Sequence, residues 1–171
     1  MIPGLQVQDR LLVEKLSFRS RAPRRSEIVV FNTPFSFNPK LIKQLERSRL
    51  RDGKIAIPCF VVNLPFMSWF GLTNQSCEAY IKRVVAVGGD QVSINLRGEV
   101  SVNGKKIEEP YVTNYCSIAM QGRGSCKSFI ATVPRDHVLV LGDNRSRSSD
   151  GRIWGFLPES EILGRAVWRF W

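Results

Sequence analysis

The sequence is poor in histidine and has no long apolar run. No stretch reaches the roughly 18 apolar residues that a transmembrane helix requires. The chain has one histidine, and its four cysteines show no Cys-x-x-Cys spacing, which excludes the common zinc-site patterns. We therefore expect no metal and no other cofactor. Recognition-helix, zinc-finger and ribonucleoprotein signatures are also absent, and so are internal repeats.

What the sequence does contain is a globular composition with strong positive charge. Hydrophobic residues make up 43% and aromatic residues 10% of the 171 positions, which predicts a folded domain. The net charge of +10 favours an anionic partner, either nucleic acid or a membrane surface. Because the arginine-rich segment 19–25 has no interleaved aromatic residues to stack on bases, an anionic membrane surface is favoured and no nucleic acid is expected. A solvated basic face is the alternative.

Short apolar runs and period-two alternation dominate the chain, which predicts a mainly antiparallel β fold with one short helix. Asn103-Gly104 is a strong type I′ turn signal, and with Arg97-Gly98 it predicts a meander over 91–107. Asn38 suits a helix cap and Pro39 the first helical position. Strands are predicted at 10–14, 27–31, 55–63, 80–87, 91–96, 99–102, 137–141 and 165–170.

The four cysteines are Cys59, Cys77, Cys116 and Cys126. Their even number indicates disulfides formed in an oxidising compartment. The pairing of Cys116 with Cys126 is favoured because the glycine-rich stretch between them is typical of a hairpin tip, and Cys59 with Cys77 then follows by elimination. Buried free thiols in a reducing compartment are the alternative.

Lys82 lies inside a predicted strand. Alternation places it on one face with Tyr80, Val84 and Ala86, where an amine loses hydration. Lost hydration lowers the pKa of a lysine, and such a lysine can act as a base near neutral pH. On spacing alone, a strand lysine that extends its amine to solvent is the more common explanation.

A polar run, Gly142–Arg152, directly follows the predicted strand 137–141. Asp143 with Arg145, and Asp150 with Arg152, offer ion pairs two residues apart, and the short polar side chains between them can form a defined network. A solvated turn is the alternative on composition alone.

Taken together, these segments resemble bacterial-type signal peptidase I, a family of serine–lysine peptidases. The resemblance is carried, in the family's order, by Met1-Ile2-Pro3, by 80–90 around Lys82 and by 142–155. Segment 5–17 is most similar to cyanobacterial or plastid members. The resemblance implies one catalytic domain over 1–171, with an extended insertion at 35–79 and a small inserted β-hairpin subdomain at 97–135.

The resemblance also implies roles at matching positions. Lys82 would be the general base, and Ser148 would orient it. Arg83 would pair with Asp143. The other polar residues at the site would be structural: Asn144, Arg145, Asp150 and Arg152. The residues that bind small −1 and −3 side chains of a signal peptide would be Met1, Ile2, Pro3, Leu5, Tyr80 and Ile81.

In this family the nucleophilic serine stands immediately before the Met-x-Pro step, and the sequence begins at that methionine. We therefore expect an endopeptidase that removes signal peptides after Ala-x-Ala but is inactive in the form given. A single-pass anchor is expected upstream, with the catalytic domain on the extracytoplasmic side of the membrane, in the periplasm or the thylakoid lumen. A catalytically inactive signal-peptide-binding relative and a self-cleaving repressor-type serine–lysine protein are the alternatives.

Overall fold

The computed structural model describes residues 10–34, 37–44 and 79–170. The chain divides into two compact units, one formed by Met1–Phe31 with Ile81–Trp171 and the other by Asn32–Tyr80. The assignment of 35–79 as an insertion and of 97–135 as a subdomain stays a prediction. The predictions that lie outside the described residues concern Met1, Ile2, Pro3, Leu5, Cys59, Cys77 and the strand at 55–63.

The described residues form two sheets, and the fold is mainly antiparallel β, as the sequence predicts. One sheet has six strands in the order β1-β10-β2-β3-β8-β9, and the other has four in the order β6-β5-β4-β7. The strands are β1 Arg10–Glu14, β2 Ile28–Asn32, β3 Ala79–Val87, β4 Gln91–Ile94, β5 Val100–Val102, β6 Lys105–Lys106, β7 Phe129–Thr132, β8 His137–Leu141, β9 Leu157–Pro158 and β10 Ile162–Phe170.

Short helices complete these elements. Ser17–Ser20 and Gly151–Trp154 each form about one helical turn. Residues 39–44 are also helical, and the Asn38 side chain accepts hydrogen bonds from the backbone N–H groups of Lys40 at 3.0 Å and Leu41 at 3.3 Å. Asn38 thus caps this helix, as predicted.

One hydrophobic core joins strands of both sheets. Alternation in β4 and β5 buries every second residue, which is the pattern of strands with one face on a core. Burying a side chain of this size contributes about 1.5–3 kcal/mol. The core consists of Val85, Ala86, Val92, Ile94, Val100, Val102, Val133, Leu139 and Leu141.

A bulge interrupts β3. Arg83 and Val84 oppose Leu141 and Val140 of β8, but the register shifts between Val84 and Ala86. Val85 is the extra residue of the bulge, and because of it Val85 and Ala86 both join the core. The predicted strict alternation through Ala86 is therefore wrong, and Ala86 does not continue the face on which Lys82 lies.

The predicted turn and the first disulfide are both present. Asn103 and Gly104 have φ angles of 51° and 78°, and a type I′ turn requires positive φ at both central positions. Cys116 and Cys126 form a disulfide, which confirms that pairing. Closing a loop with a sequence separation of 10 stabilises the fold by about 2–3 kcal/mol in the chain-entropy account.

Candidate active site

Lys82 lies on β3 and is half-buried. Burial lowers the pKa of Lys82 below its ordinary value of 10.5, and the nearby charges of Asp150 and Asp143 oppose this shift without cancelling it. The structure thus brings Lys82 close to two carboxylates of the polar run, which starts where β8 ends. An amine with a lowered pKa is unprotonated in a larger fraction of molecules near neutral pH and can accept a proton there.

Asp150 is fully buried and held from two directions. Its carboxylate accepts the backbone N–H of Gly142 at 3.0 Å. Arg152 donates to it from Nε at 2.9 Å, from Nη2 at 2.8 Å and from its backbone N–H at 3.2 Å. Asp150 therefore caps the turn Gly151–Trp154 and fixes the start of the polar run to its end.

Ser148 lies directly against Gly142. A Cβ placed on Gly142 would lie only 2.1 Å from the Ser148 Oγ, so no other residue fits there without displacing the serine. The Ser148 Oγ is buried and has no hydrogen-bond partner among the described residues, Lys82 included. A buried hydroxyl without a partner costs free energy, so a hydrogen-bonding group beside it would be stabilising.

Arg83, the neighbour of Lys82 in β3, forms the ion pair with Asp143 that the family resemblance implies. Its Nε and Nη2 donate to the two carboxylate oxygens at 3.0 and 2.9 Å, and its Nη1 donates to the Ser26 carbonyl at 3.0 Å. The Arg83 Cζ lies 3.9 Å from the centroid of the Tyr111 ring. Both partners of the ion pair are largely buried, with side chains 14% and 2% exposed.

Arg145 does not pair with Asp143, so this local pairing predicted from the polar run is wrong. Arg145 is fully buried and pairs instead with Glu109, to which its Nη1 donates at 2.9 Å. Its Nε also donates to the Gly142 carbonyl at 3.2 Å, and its Nη1 donates to the Gly98 carbonyl. Asp143 is already occupied by Arg83, and Glu109 supplies the carboxylate that a buried guanidinium requires.

The disulfide loop is attached to the backbone of the polar run. Ser125, next to Cys126, donates from Oγ to the Arg145 carbonyl at 3.2 Å. The Arg145 backbone N–H donates to the Asn114 carbonyl at 2.9 Å, and Asn144 accepts the Ser146 hydroxyl at 3.0 Å. Asn144 thus lies within the network that shapes the run.

Two of the predicted substrate-binding residues lie within the described part of the chain. Tyr80 and Ile81 precede Lys82 on β3 and are half-buried. In the described ranges there is no group of three or more His, Cys, Asp or Glu side chains arranged to hold a metal ion. The helices described there are all too short or too polar to cross a membrane.

Comparison with known proteins identifies the family. The family described as "Signal peptidase, peptidase S26" matches residues 1–171. The chain is 36% identical to the probable signal peptidase I-2 of Synechocystis sp., with all of this chain and 59% of that protein aligned. It is 33% identical to the thylakoidal processing peptidase 1, chloroplastic, of Arabidopsis thaliana, over all of this chain and 39% of that protein.

A solved structure has the same fold. The signal peptidase I of Enterococcus faecalis V583 aligns with 86% of this chain and 98% of its own, with a TM-score of 0.50 and 19% identity. The described part of this chain thus shares its mainly antiparallel β fold with that signal peptidase I. The chain belongs to the signal peptidase family, peptidase S26. It spans 59% and 64% of the length of two cyanobacterial relatives, from Synechocystis and Leptolyngbya laminosa.

Proposed function

We propose that this chain is the catalytic domain of a signal peptidase I, which removes N-terminal signal peptides from precursor proteins after Ala-x-Ala. The observation that carries the proposal is the half-buried Lys82, whose pKa is lowered by burial, beside Asp143 and Asp150 of the polar run. Such an amine serves as a general base, and membership of the peptidase S26 family supports this chemistry.

In the proposed reaction, a serine immediately before Met1 is the nucleophile. Its hydroxyl gives a proton to the neutral Lys82 amine while its oxygen attacks the scissile carbonyl. The Lys82 ammonium then gives that proton to the leaving amine, and an acyl-enzyme ester remains. Lys82 next takes a proton from water, whose oxygen attacks the ester, and returns it to the serine oxygen as the signal peptide leaves with a free carboxylate.

The other residues position this machinery. The family resemblance assigns Ser148 to orient the Lys82 amine; its hydroxyl is buried beside Gly142, but it makes no hydrogen bond to Lys82 in the structure. Arg83 and Arg152 pair with Asp143 and Asp150. Their positive charges limit how far these two carboxylates raise the pKa of Lys82. By family resemblance, the pockets for the small −1 and −3 side chains of the signal peptide would be lined by Met1, Leu5, Tyr80 and Ile81. Ile2 and Pro3, which follow Met1 in the first family motif, would also bind the signal peptide.

A membrane surface on the extracytoplasmic side is the proposed location. The net charge of +10 supports contact with anionic lipid, and the Cys116–Cys126 disulfide is typical of an oxidising compartment. Arg21 and Arg25 add less to this attraction, because their charges are paired with Glu27 and Asp90.

Co-sedimentation of the chain with vesicles that contain anionic lipid should exceed co-sedimentation with zwitterionic vesicles, and it should fall as the salt concentration rises. Equal binding to both would reject the contact.

The test of the peptidase function is direct. The chain extended by one serine before Met1 is incubated with a peptide that contains an Ala-x-Ala site, and the products are identified by mass spectrometry. We expect cleavage after the second alanine, and none with alanine in place of the added serine. A peptide with tryptophan at −1 should resist cleavage, because a small pocket excludes a large side chain.

Two results would contradict the proposal. Equal cleavage by the serine-bearing and alanine-bearing chains would mean that the dyad is not the catalyst. Binding of the signal peptide without any cleavage by the serine-bearing chain would favour the catalytically inactive relative.

A further inference from the structure

The segment Glu109–Pro110–Tyr111 belongs to none of the family motifs, yet it contacts Arg83 on β3 and Arg145 of the polar run. The Tyr111 ring stacks on the guanidinium of Arg83, with 3.9 Å between Cζ and the ring centroid. Its hydroxyl donates to Glu109 at 2.9 Å, and Glu109 accepts from Arg145 at 2.9 Å. One short segment therefore joins the arginine beside Lys82 to the buried arginine of the polar run.

Arg83 is restrained in two directions. Hydrogen bonds in the plane of its guanidinium go to Asp143 and to the Ser26 carbonyl. The Tyr111 ring covers a face of that plane, where a guanidinium has no hydrogen to donate. Stacking on an aromatic ring is thus the contact that limits motion out of the plane, away from Asp143.

Among the described residues, the two carboxylates that act on the charge of Lys82 are each paired with an arginine. Asp150 and Asp143 both favour the ammonium form of Lys82. Asp150 is paired with Arg152, whose side chain is 1% exposed. Asp143 is paired with Arg83. If Arg83 moved away, the Asp143 carboxylate would act on Lys82 without its cation and would favour the protonated amine, which is not a base.

We propose that Tyr111 is a positioning residue of this site: its ring holds Arg83 against Asp143, so that this carboxylate stays neutralised beside Lys82. The catalytic consequence rests on the proposed function of Lys82 as the base. The contact and its effect on the protonation of Lys82 do not depend on cleavage, and they are measured separately.

The test compares Tyr111→Leu, which removes the ring, with Tyr111→Phe, which keeps it. Tyr115→Leu is the matched control at a neighbouring tyrosine. In the chain without an added serine, labelled with ¹³Cε-lysine, the Lys82 signal is identified by its loss in Lys82→Met and followed against pH by NMR. In the chain with an added serine, kcat/KM for an Ala-x-Ala peptide is measured against pH.

We expect Tyr111→Leu to raise the midpoint of the Lys82 titration. It should lower kcat/KM near pH 7 by about threefold to tenfold while the plateau at high pH stays unchanged. Tyr111→Phe and Tyr115→Leu should keep the original midpoint. In an Asp143→Asn background, where the charge is gone, Tyr111→Leu should not move the midpoint.

An unchanged midpoint in Tyr111→Leu would overturn the proposal, as would a lower plateau without a shift, which indicates a merely structural role. A shift that persists in the Asp143→Asn background would also overturn it. If Tyr111→Leu does not unfold cooperatively in urea, Tyr111→Met takes its place with the same expectations. A shifted NMR midpoint without cleavage by any serine-bearing chain would reject the proposed function and leave this inference standing.

Discussion

Replacing Lys82 with methionine is expected to lower kcat/KM for an Ala-x-Ala peptide by about 10³-fold or more, in the chain that carries a serine before Met1. The reason is that methionine fills a similar volume on β3 but cannot accept a proton. Initial rates measured by mass spectrometry against pH check the loss.

Arginine at the same position is the informative control. Lys82→Arg keeps a positive charge beside Asp143 and Asp150, but a guanidinium stays protonated at any working pH and is not a base. We expect this variant to be as inactive as Lys82→Met. Retained activity in Lys82→Met would remove Lys82 from the mechanism, and activity in Lys82→Arg alone would show that only its charge is needed.

Lys82→Met should also increase the free energy of unfolding, by an amount that depends on pH. The pKa of Lys82 is lowered by burial in the folded state, so between that pKa and the ordinary value of 10.5 the unfolded state binds more protons. The parent therefore loses stability as the pH falls from 10.5 through the folded pKa. The stability advantage of Lys82→Met should be largest at lower pH and shrink toward pH 10.5. Urea unfolding at several pH values above 6 checks this, and a pH-independent advantage would contradict it.

The elements that the sequence predicted correctly are those with local signals. β1 and β8 have their predicted bounds, and Asn103-Gly104 forms its turn because only such residues adopt positive φ readily. The Cys116–Cys126 pair follows from a short loop between them. β7 and β9 were missed because β7 has only four residues, half of them exposed, and β9 has two residues, one of them a proline.

Charge pairing in the site is set by the fold and not by distance along the chain. Arg83 and Asp143 are 60 residues apart, and Arg145 and Glu109 are 36 apart, whereas the local Asp143–Arg145 pair does not form. Family resemblance predicted the first of these pairs. Nothing in the stretch Glu108-Glu109-Pro110 distinguishes it from a polar loop, so a buried carboxylate could not be predicted there.

Replacing Glu109 with glutamine is expected to reduce the free energy of unfolding by about 3–5 kcal/mol. The Glu109 and Arg145 side chains are each only 1% exposed, so glutamine keeps the shape but leaves a buried guanidinium without its counter-charge. Against a typical domain stability of about 5–15 kcal/mol, this loss brings the fold close to the point of unfolding. Urea denaturation followed by tryptophan fluorescence measures it.

An exposed ion pair in the same chain supplies the control. Lys106 and Glu99 also form an ion pair at 2.9 Å, but the Lys106 side chain is 66% exposed. Lys106→Met should therefore cost less than about 1 kcal/mol. A comparable loss at both positions would mean that burial is not what makes the Glu109 pair important.

The double variant Glu109→Leu with Arg145→Met separates lost charge from lost packing. It removes the uncompensated cation, so its destabilisation should be smaller than the sum of the two single changes. Its serine-bearing form should cleave more slowly than the parent, because the Arg145 Nε also holds the Gly142 carbonyl, and Gly142 lies against Ser148. Stability regained without activity would show that this ion pair shapes the site as well as the fold. Strict additivity of the two losses would contradict the coupling between Glu109 and Arg145.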